Sequence, residues 1–277
     1  MKVLRSIGAI RDYRKQLAGS VGLVPTMGFL HEGHLSLVRR SKAECEHTVV
    51  SIFVNPTQFG PDEDFGAYPR DTDLDLKLLE NSGADAVFLP GAGEMYPPGT
   101  DIFVVPGKIA DRLEGSARPG HFRGVATVVL KLFNLIQPQR AYFGQKDAQQ
   151  TAVIRKMVAD LDVPVEIKVL PTVRESDGLA MSSRNTYLNP AERSAATVLY
   201  RSLKLAQELI NGGEKDAEIV RQRMTELILA EPLARVDYVS VADARSLEEL
   251  TFVTSPVLVS LAVRIGRTRL IDNVMLA

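Results

Sequence analysis

Two histidines three residues apart, His31 and His34, close the stretch Met27-Gly-Phe-Leu-His-Glu-Gly-His34. Such a pair at the start of a helix shares one face, beside backbone N–H groups that lack intrahelical partners. That end attracts anions, phosphate above all. The stretch therefore predicts a nucleotide phosphate site. Zinc is the competing chemistry, and the spacing disfavours it, because the metalloprotease pattern needs i, i+4 with a glutamate beside the first histidine. Only His47, His121 and the single cysteine, Cys45, remain as further soft ligands. No metal site is predicted.

Three later stretches also carry chemistry. Lys146-Asp147 offers a cation to a phosphate and a carboxylate to a nucleoside hydroxyl, and Gln149 and Gln150 follow it. One glutamine is expected to face the cleft, and the sequence does not say which. Ser182-Ser183-Arg184 brings together hydroxyls and a guanidinium, which suits either a phosphate clamp or a helix-capping loop. Gly115 to Gly120 has the outer spacing of a phosphate loop, but His121-Phe122 stands where Lys-Ser/Thr is required. It reads as a mobile loop, from which Arg118 and Arg123 could still reach a charged ligand. No Gly-x-Gly-x-x-Gly fingerprint occurs, which argues against nicotinamide or flavin chemistry.

The elements that must position these residues alternate. An apolar run, Val21 to Val24, reads as a buried strand broken by Pro25 and Gly28. A helix from about Leu35 to Cys45 leads to a second apolar run, Thr48 to Val54, the pattern of a central parallel strand. The loop Asn55 to Gly60 then emerges at the sheet edge where open α/β folds bind ligands. Helical spacing recurs over Asp71 to Ser82, Val125 to Ile136 and Ala148 to Leu161. Strands are predicted at 85–89, 102–105, 141–144 and 165–170. Beyond Val173 the pattern changes. Arg174 to Gly178 reads as a hinge, Asn189-Pro190 opens a helix running to Asn211, and another spans Ala217 to Glu231. Strands at 236–241, 256–265 and 270–275 end the chain. The fold class is α/β, a Rossmann-like parallel-sheet domain over 1–174 with a smaller α+β domain over 175–277.

Composition is that of a soluble globular protein. The 277 residues are 45% hydrophobic and 24% charged, with a net charge of −1. That balance lacks the basic footprint of a nucleic-acid binder. No segment is long and apolar enough to span a bilayer. Arg5 and Arg11 interrupt the N-terminus before a signal-like core develops, and a lone cysteine suits a reducing compartment. A cytoplasmic location is expected.

Several motifs together resemble the pantoate–β-alanine ligase (pantothenate synthetase) family, within the nucleotidyltransferase and class I aminoacyl-tRNA synthetase-like superfamily. They are Pro25-Thr-Met-Gly-Phe-Leu-His-Glu-Gly-His34, Phe53-Val-Asn-Pro-Thr-Gln-Phe59, Tyr68-Pro-Arg70, Arg118-Pro-Gly-His-Phe-Arg-Gly-Val125, Gly144-Gln-Lys-Asp-Ala-Gln-Gln150 and Met181-Ser-Ser-Arg-Asn185. They cover the first two-thirds of the chain. The C-terminal part carries no diagnostic motif. The resemblance implies condensation of pantoate with β-alanine using ATP and Mg²⁺, through an enzyme-bound pantoyl adenylate, with AMP and pyrophosphate released. It implies that Met27, Gly28, Phe29, Leu30, His31, Glu32, Gly33 and His34 contact ATP, with His34 as proton donor. Gly144, Gln145, Lys146, Asp147, Val173, Met181, Ser182, Ser183 and Arg184 are implied as further ATP contacts. Gln58 and Gln150 are implied to hold pantoate, with Gln58 also near β-alanine. His34, His31, Lys146 and Arg184 are the implied catalytic set, of which His34, Lys146 and Arg184, with Mg²⁺, are the candidates to balance phosphate charge. Ala180 stands where the superfamily's lysine is expected, so Arg184 must supply the charge there. A homodimer is implied, and the C-terminal domain is expected to act as a lid that keeps water from the adenylate. Two other readings share the first motif: a nucleotidyltransferase adenylylating a phosphorylated small molecule, and a non-catalytic nucleotide sensor.

Overall fold

The computed structural model describes residues 1–61 and 63–276, which divide into two compact units. The division is not a single cut. Residues 1–144 and 150–171 form the first unit, and 145–149 group with 172–277 in the second.

In chain order the first unit contains β1 (Lys2–Leu4), α1 (Ile7–Gln16), β2 (Val21–Thr26), α2 (Glu32–Glu44), β3 (His47–Ile52), α3 (Thr72–Asn81), β4 (Ala86–Phe88), the short α4 (Ala92–Met95) and α5 (Glu114–Ala117), and α6 (His121–Ile136). It continues with β5 (Arg140–Gly144), α7 (Ala148–Asp160, whose first two residues group with the second unit) and β6 (Glu166–Leu170). The six strands are parallel in the order β1-β4-β3-β2-β5-β6. From β2 the chain first builds outward through β3 and β4, then returns to add β5 and β6 on the other side. The switch point lies between β2 and β5, whose carboxyl ends border the crevice where such sheets bind ligands.

Strand alternation separates two cores. Leu23, Val49, Phe88 and Phe143 pack on one face with Phe122, Phe133 and Ile154 of the helices. Their neighbours Val24, Val50, Val87 and Tyr142 pack on the other with Leu37, Val38 and Leu79. Burial of both faces is why these strands read as continuous apolar runs.

Four local features differ from the sequence expectations. β1 and α1 have no counterpart among the expected elements. The strand is three residues long and partly exposed, and α1 buries only Ile10 and Tyr13. Pro25 lies within β2 rather than ending it. β2 pairs with β5 only at Gly22 and Leu23, so the missing N–H of proline lies beyond that ladder. Residues 102–105 form no strand. Val104 N–H donates to Thr127 Oγ1 at 2.9 Å, and the Arg123 guanidinium lies 3.8 Å from the centroid of the Phe103 ring. The helix α6 begins at His121, not Val125. Gly124 lies inside it, at a close approach where a Cβ would meet Thr57 O at 2.3 Å and Gln58 N at 2.6 Å.

The second unit contains α8 (Pro190–Ala195), α9 (Val198–Asn211), α10 (Ala217–Leu229) and the antiparallel strands β7 (Ala234–Asp243), β8 (Val257–Ile265) and β9 (Thr268–Leu276) in the order β7-β8-β9. Its core joins Leu199, Leu203, Val220 and Met224 of the helices to Val259, Leu261 and Val263 of the sheet. The helix expected over 189–211 is divided where the ladder tightens: Thr197 N–H donates to Ser194 O at 3.3 Å and Leu199 N–H to Ala196 O at 3.2 Å, and Thr197 Oγ1 also donates to Ser194 O at 2.8 Å. Arg174 to Gly178 forms a hydrogen-bonded turn. Glu175 N–H donates to Leu179 O, Gly178 N–H to Glu175 O, and Arg174 pairs with Ala180.

Candidate active site

The two histidines begin α2, with His31 as N-cap and His34 at the third helical position. His31 Nδ1 accepts from Gly33 N–H at 3.2 Å, and His34 Nδ1 accepts from His31 N–H at 3.3 Å. The rings lie 4.1 Å apart between centroids. A ring nitrogen that accepts from a main-chain N–H carries a lone pair, so the neutral imidazoles bear their protons on Nε2. Each Nε2–H is then a hydrogen-bond donor suited to a phosphate oxygen. The two imidazoles thus cap two of the N–H groups at this helix start.

The loop before α2 is held from beneath. Thr26 Oγ1 donates to Ser51 O at 2.8 Å and accepts from Gly28 N–H at 3.2 Å. Gly28 has φ +84°, and a Cβ there would lie 2.9 Å from Asp75 Oδ2. Asp75, at the start of α3, is 2% exposed. Its Oδ2 accepts from Phe29 N–H at 2.8 Å and its Oδ1 from Leu30 N–H at 2.7 Å. Burial raises its pKa, and the two N–H donors oppose that rise. Phe29 adopts φ 51°, which this clamp sustains. Leu30 packs its side chain into the core, so only its backbone borders the loop surface. Glu32 pairs with Arg39.

The loop after β3 meets the loop after β2 through Gln58. Asn55 Oδ1 accepts from Thr57 N–H at 3.3 Å and Thr57 Oγ1 at 2.9 Å, which turns the chain into a single helical turn over Pro56–Gln58. Asn55 Nδ2 donates to Gln58 Oε1 at 3.0 Å and to Gly124 O at 3.2 Å. Gln58 Nε2 in turn reaches Met27 Sδ at 3.1 Å. The amide of Gln58 is thereby oriented from both ends.

Beneath Gln58 lies a group whose part the sequence left open. His121 Nδ1 donates to Gln58 O at 2.8 Å, and Arg118 Nη1 lies 3.1 Å from His121 Nε2. A carbonyl only accepts, so Nδ1 bears the proton and Nε2 accepts from Arg118. Arg118 is itself bidentate on Glu63, Nε to Oε1 at 2.8 Å and Nη2 to Oε2 at 2.6 Å. Burial, with the Arg118 guanidinium beside it, lowers the His121 pKa from 6.5 to about 4. The segment read as a mobile loop is thus a structural brace, with Arg118 committed to Glu63 and Arg123 to Phe103. Arg118 follows the end of α5 and His121 opens α6, so no helical periodicity made this pairing legible in the sequence.

Further along the first unit, Gly144 ends β5 beside the switch point, and Gln150 is half-buried on α7. Gln149, the other candidate, is buried in the second unit.

The second unit holds the remaining candidates. Gln145–Asp147 form one helical turn, and Lys146 Nζ lies 3.6 Å from Asp147 Oδ1. Met181 N–H donates to Val173 O at 3.0 Å, which brings those two residues side by side. Ala180 is buried against Arg174. Ser182 caps the turn Ser183–Tyr187 by accepting from Arg184 N–H at 3.3 Å, and Ser183 is buried. Asn185 secures this segment, donating to Glu175 Oε1 at 2.9 Å and Ala180 O at 3.1 Å. Among the described residues no three His, Cys, Asp or Glu side chains converge as a metal site, and no helix is long and apolar enough to cross a membrane.

A family model described as pantoate-beta-alanine ligase matches residues 2–275. The chain is 63% identical over 276 residues to the pantothenate synthetase of Roseiflexus castenholzii, covering 100% of this chain and 99% of that one. The crystal structure of pantothenate synthetase from Thermus thermophilus is similar with a TM-score of 0.95 at 47% identity, covering 99% of each chain. That of pantoate-beta-alanine ligase from Francisella tularensis, complexed with beta-gamma ATP and beta-alanine, has a TM-score of 0.83 at 34% identity over 99% of this chain and 97% of that one.

Proposed function

Because the chain belongs to the pantoate-beta-alanine ligase family, whose activity is that of a ligase, we propose that it joins pantoate to β-alanine in two steps through an enzyme-bound pantoyl adenylate. The observation that carries this reading is the His31–His34 pair, whose Nδ1 atoms are occupied by main-chain donors. Their Nε2–H groups supply phosphate donors at the carboxyl end of β2, beside the switch point.

A carboxylate is a poor acyl donor because its leaving group would be oxide. Attack of the pantoate carboxylate on the α-phosphorus of ATP makes AMP the leaving group instead. The chain's contribution is to orient the two anions and to balance negative charge as pyrophosphate departs. His31 and His34 are assigned to ATP in the first unit, and Lys146, Ser182, Ser183 and Arg184 in the second. His34 acts as a neutral donor through Nε2–H. Gln58, with its amide oriented by Asn55 and Met27, and Gln150 are assigned to pantoate. The amine of β-alanine then attacks the acyl carbon as the free base, forming the amide and releasing AMP.

Magnesium suits this site as part of the ATP substrate, since Mg²⁺ prefers phosphate oxygens with few carboxylates and retained waters. Bound that way, it neutralises phosphate charge. A homodimer belongs to this reading through the family resemblance, and a cytoplasmic location through the lone cysteine.

The experiment supplies magnesium-ATP and pantoate, with and without β-alanine, and follows pyrophosphate and AMP. A stoichiometric burst of pyrophosphate with pantoate alone is expected, with AMP release and turnover only after β-alanine is added. Pyrophosphate release that strictly requires β-alanine would overturn the adenylate route.

A further inference from the structure

We propose that Asn273 of β9 is a positioning residue that sets the backbone of Lys146. The proposal rests on the assignment of Lys146 to ATP made above. Asn273 is 4% exposed although it is polar and carries no recognisable motif. Its Nδ2 donates to Gln145 O at 3.0 Å and to Lys146 O at 2.9 Å, and its Oδ1 accepts from Gln145 Nε2 at 3.0 Å. Two carbonyl acceptors admit only the nitrogen side of an amide, so the orientation of Asn273 is unique.

These bonds grip the two peptide planes that flank the Lys146 Cα. The carbonyl of 145 belongs to the peptide before it and the carbonyl of 146 to the peptide after it. With both planes held, φ and ψ of Lys146 are set, and only its side-chain torsions can vary. Aspartate at 273 would turn an oxygen toward two carbonyl oxygens, and alanine would leave both without that donor.

Asn273 is itself fixed by its neighbour. Asp272 accepts from Arg174 Nη1 at 2.6 Å and Nη2 at 3.0 Å, and its Oδ1 accepts from Asn273 N–H at 2.8 Å. Arg174 also donates to Gly178 O at 3.0 Å and lies 4.7 Å from the centroid of the Tyr200 ring. Successive strand residues project to opposite faces, so β9 is held from both sides at this point. Asp272 lies on the face of the Leu270 core and Asn273 on the face that meets residues 145–147.

The test measures pantoate-dependent pyrophosphate release and native-state hydrogen exchange. Asn273→Ala is expected to lower kcat/KM for ATP by about 100-fold, the scale of a misplaced reacting group, with the KM for pantoate unchanged. In a Lys146→Ala background the same substitution should add nothing, because both remove one contribution. Amides of 146–148 should exchange faster while those of β8 stay protected. Multiplicative losses in the double variant, or undiminished protection at 146–148, would overturn the proposal. Unimpaired ATP use by Lys146→Ala would overturn the underlying assignment instead, whatever the exchange shows. Should Asn273→Ala fail to fold, Gln145→Ala removes one of the three bonds and carries the same double-variant test, with an expected loss of about 10-fold.

Discussion

The imidazole of His121 donates from Nδ1 to the main-chain carbonyl of Gln58 at 2.8 Å, and so ties the first turn of α6 to the loop proposed to hold pantoate. The bond requires the Nδ1–H tautomer, which Arg118 enforces by occupying Nε2, while Glu63 orients Arg118. Phenylalanine at 121 preserves ring volume and removes the donor. His121→Phe is expected to raise the KM for pantoate by about 10-fold with ATP affinity retained, the scale of one lost buried hydrogen bond. Steady-state kinetics with pantoate varied at saturating ATP, together with calorimetric ATP titration, checks the split. A selective loss of ATP affinity would place the bond elsewhere in the mechanism.

The same histidine gives the fold a pH dependence of known sign. Its pKa is about 4 in the folded chain against 6.5 as the ordinary value. Between those values the unfolded chain binds a proton that the folded chain does not. Stability is therefore complete above pH 6.5 and falls as the pH drops from 6.5 toward 4, by up to about 3 kcal/mol. Urea unfolding between pH 7 and pH 4 should show that loss, and His121→Phe should flatten the part of the slope above about pH 5. An unchanged slope in the variant would assign the dependence to other groups.

Asp75 clamps the loop before His31 with one carboxylate oxygen on each of two consecutive N–H groups. Asn at that position keeps the shape but turns an NH₂ toward one of them. Asp75→Asn should destabilise the chain by about 1–3 kcal/mol, the cost of a buried donor left without its acceptor. Chemical denaturation of the two proteins measures it. A difference near zero would mean that the loop rearranges without the clamp.

His34→Ala removes one proposed phosphate donor and the cap on His31 N–H, while most of α2 keeps its packing. Pantoate-dependent pyrophosphate release should fall by more than about 100-fold, as for other lost charge-stabilising donors, with the far-ultraviolet spectrum unchanged. Near-normal release would remove His34 from the adenylation step.

Local residue patterns were enough for most elements of the alternating series and for placing the histidine pair at a helix start. Continuous apolar runs required strands buried on both faces, and a histidine pair at i, i+3 required a shared face at a helix start. Those are consequences of periodicity, readable from a dozen neighbouring residues. Pro25 within β2 and the irregular path of 102–105 were decided elsewhere, by which strand lies alongside and which side chain claims a backbone donor. The same holds for the parts that hold the proposed site in place. Gln58 is braced by His121 from 63 residues along the chain, Phe29 and Leu30 by Asp75 from 46 and 45 residues, and Lys146 by Asn273 from 127 residues. A buried polar side chain has no periodic signature. Its partner is fixed only when folding brings distant segments within hydrogen-bond range and excludes the water that would otherwise satisfy it.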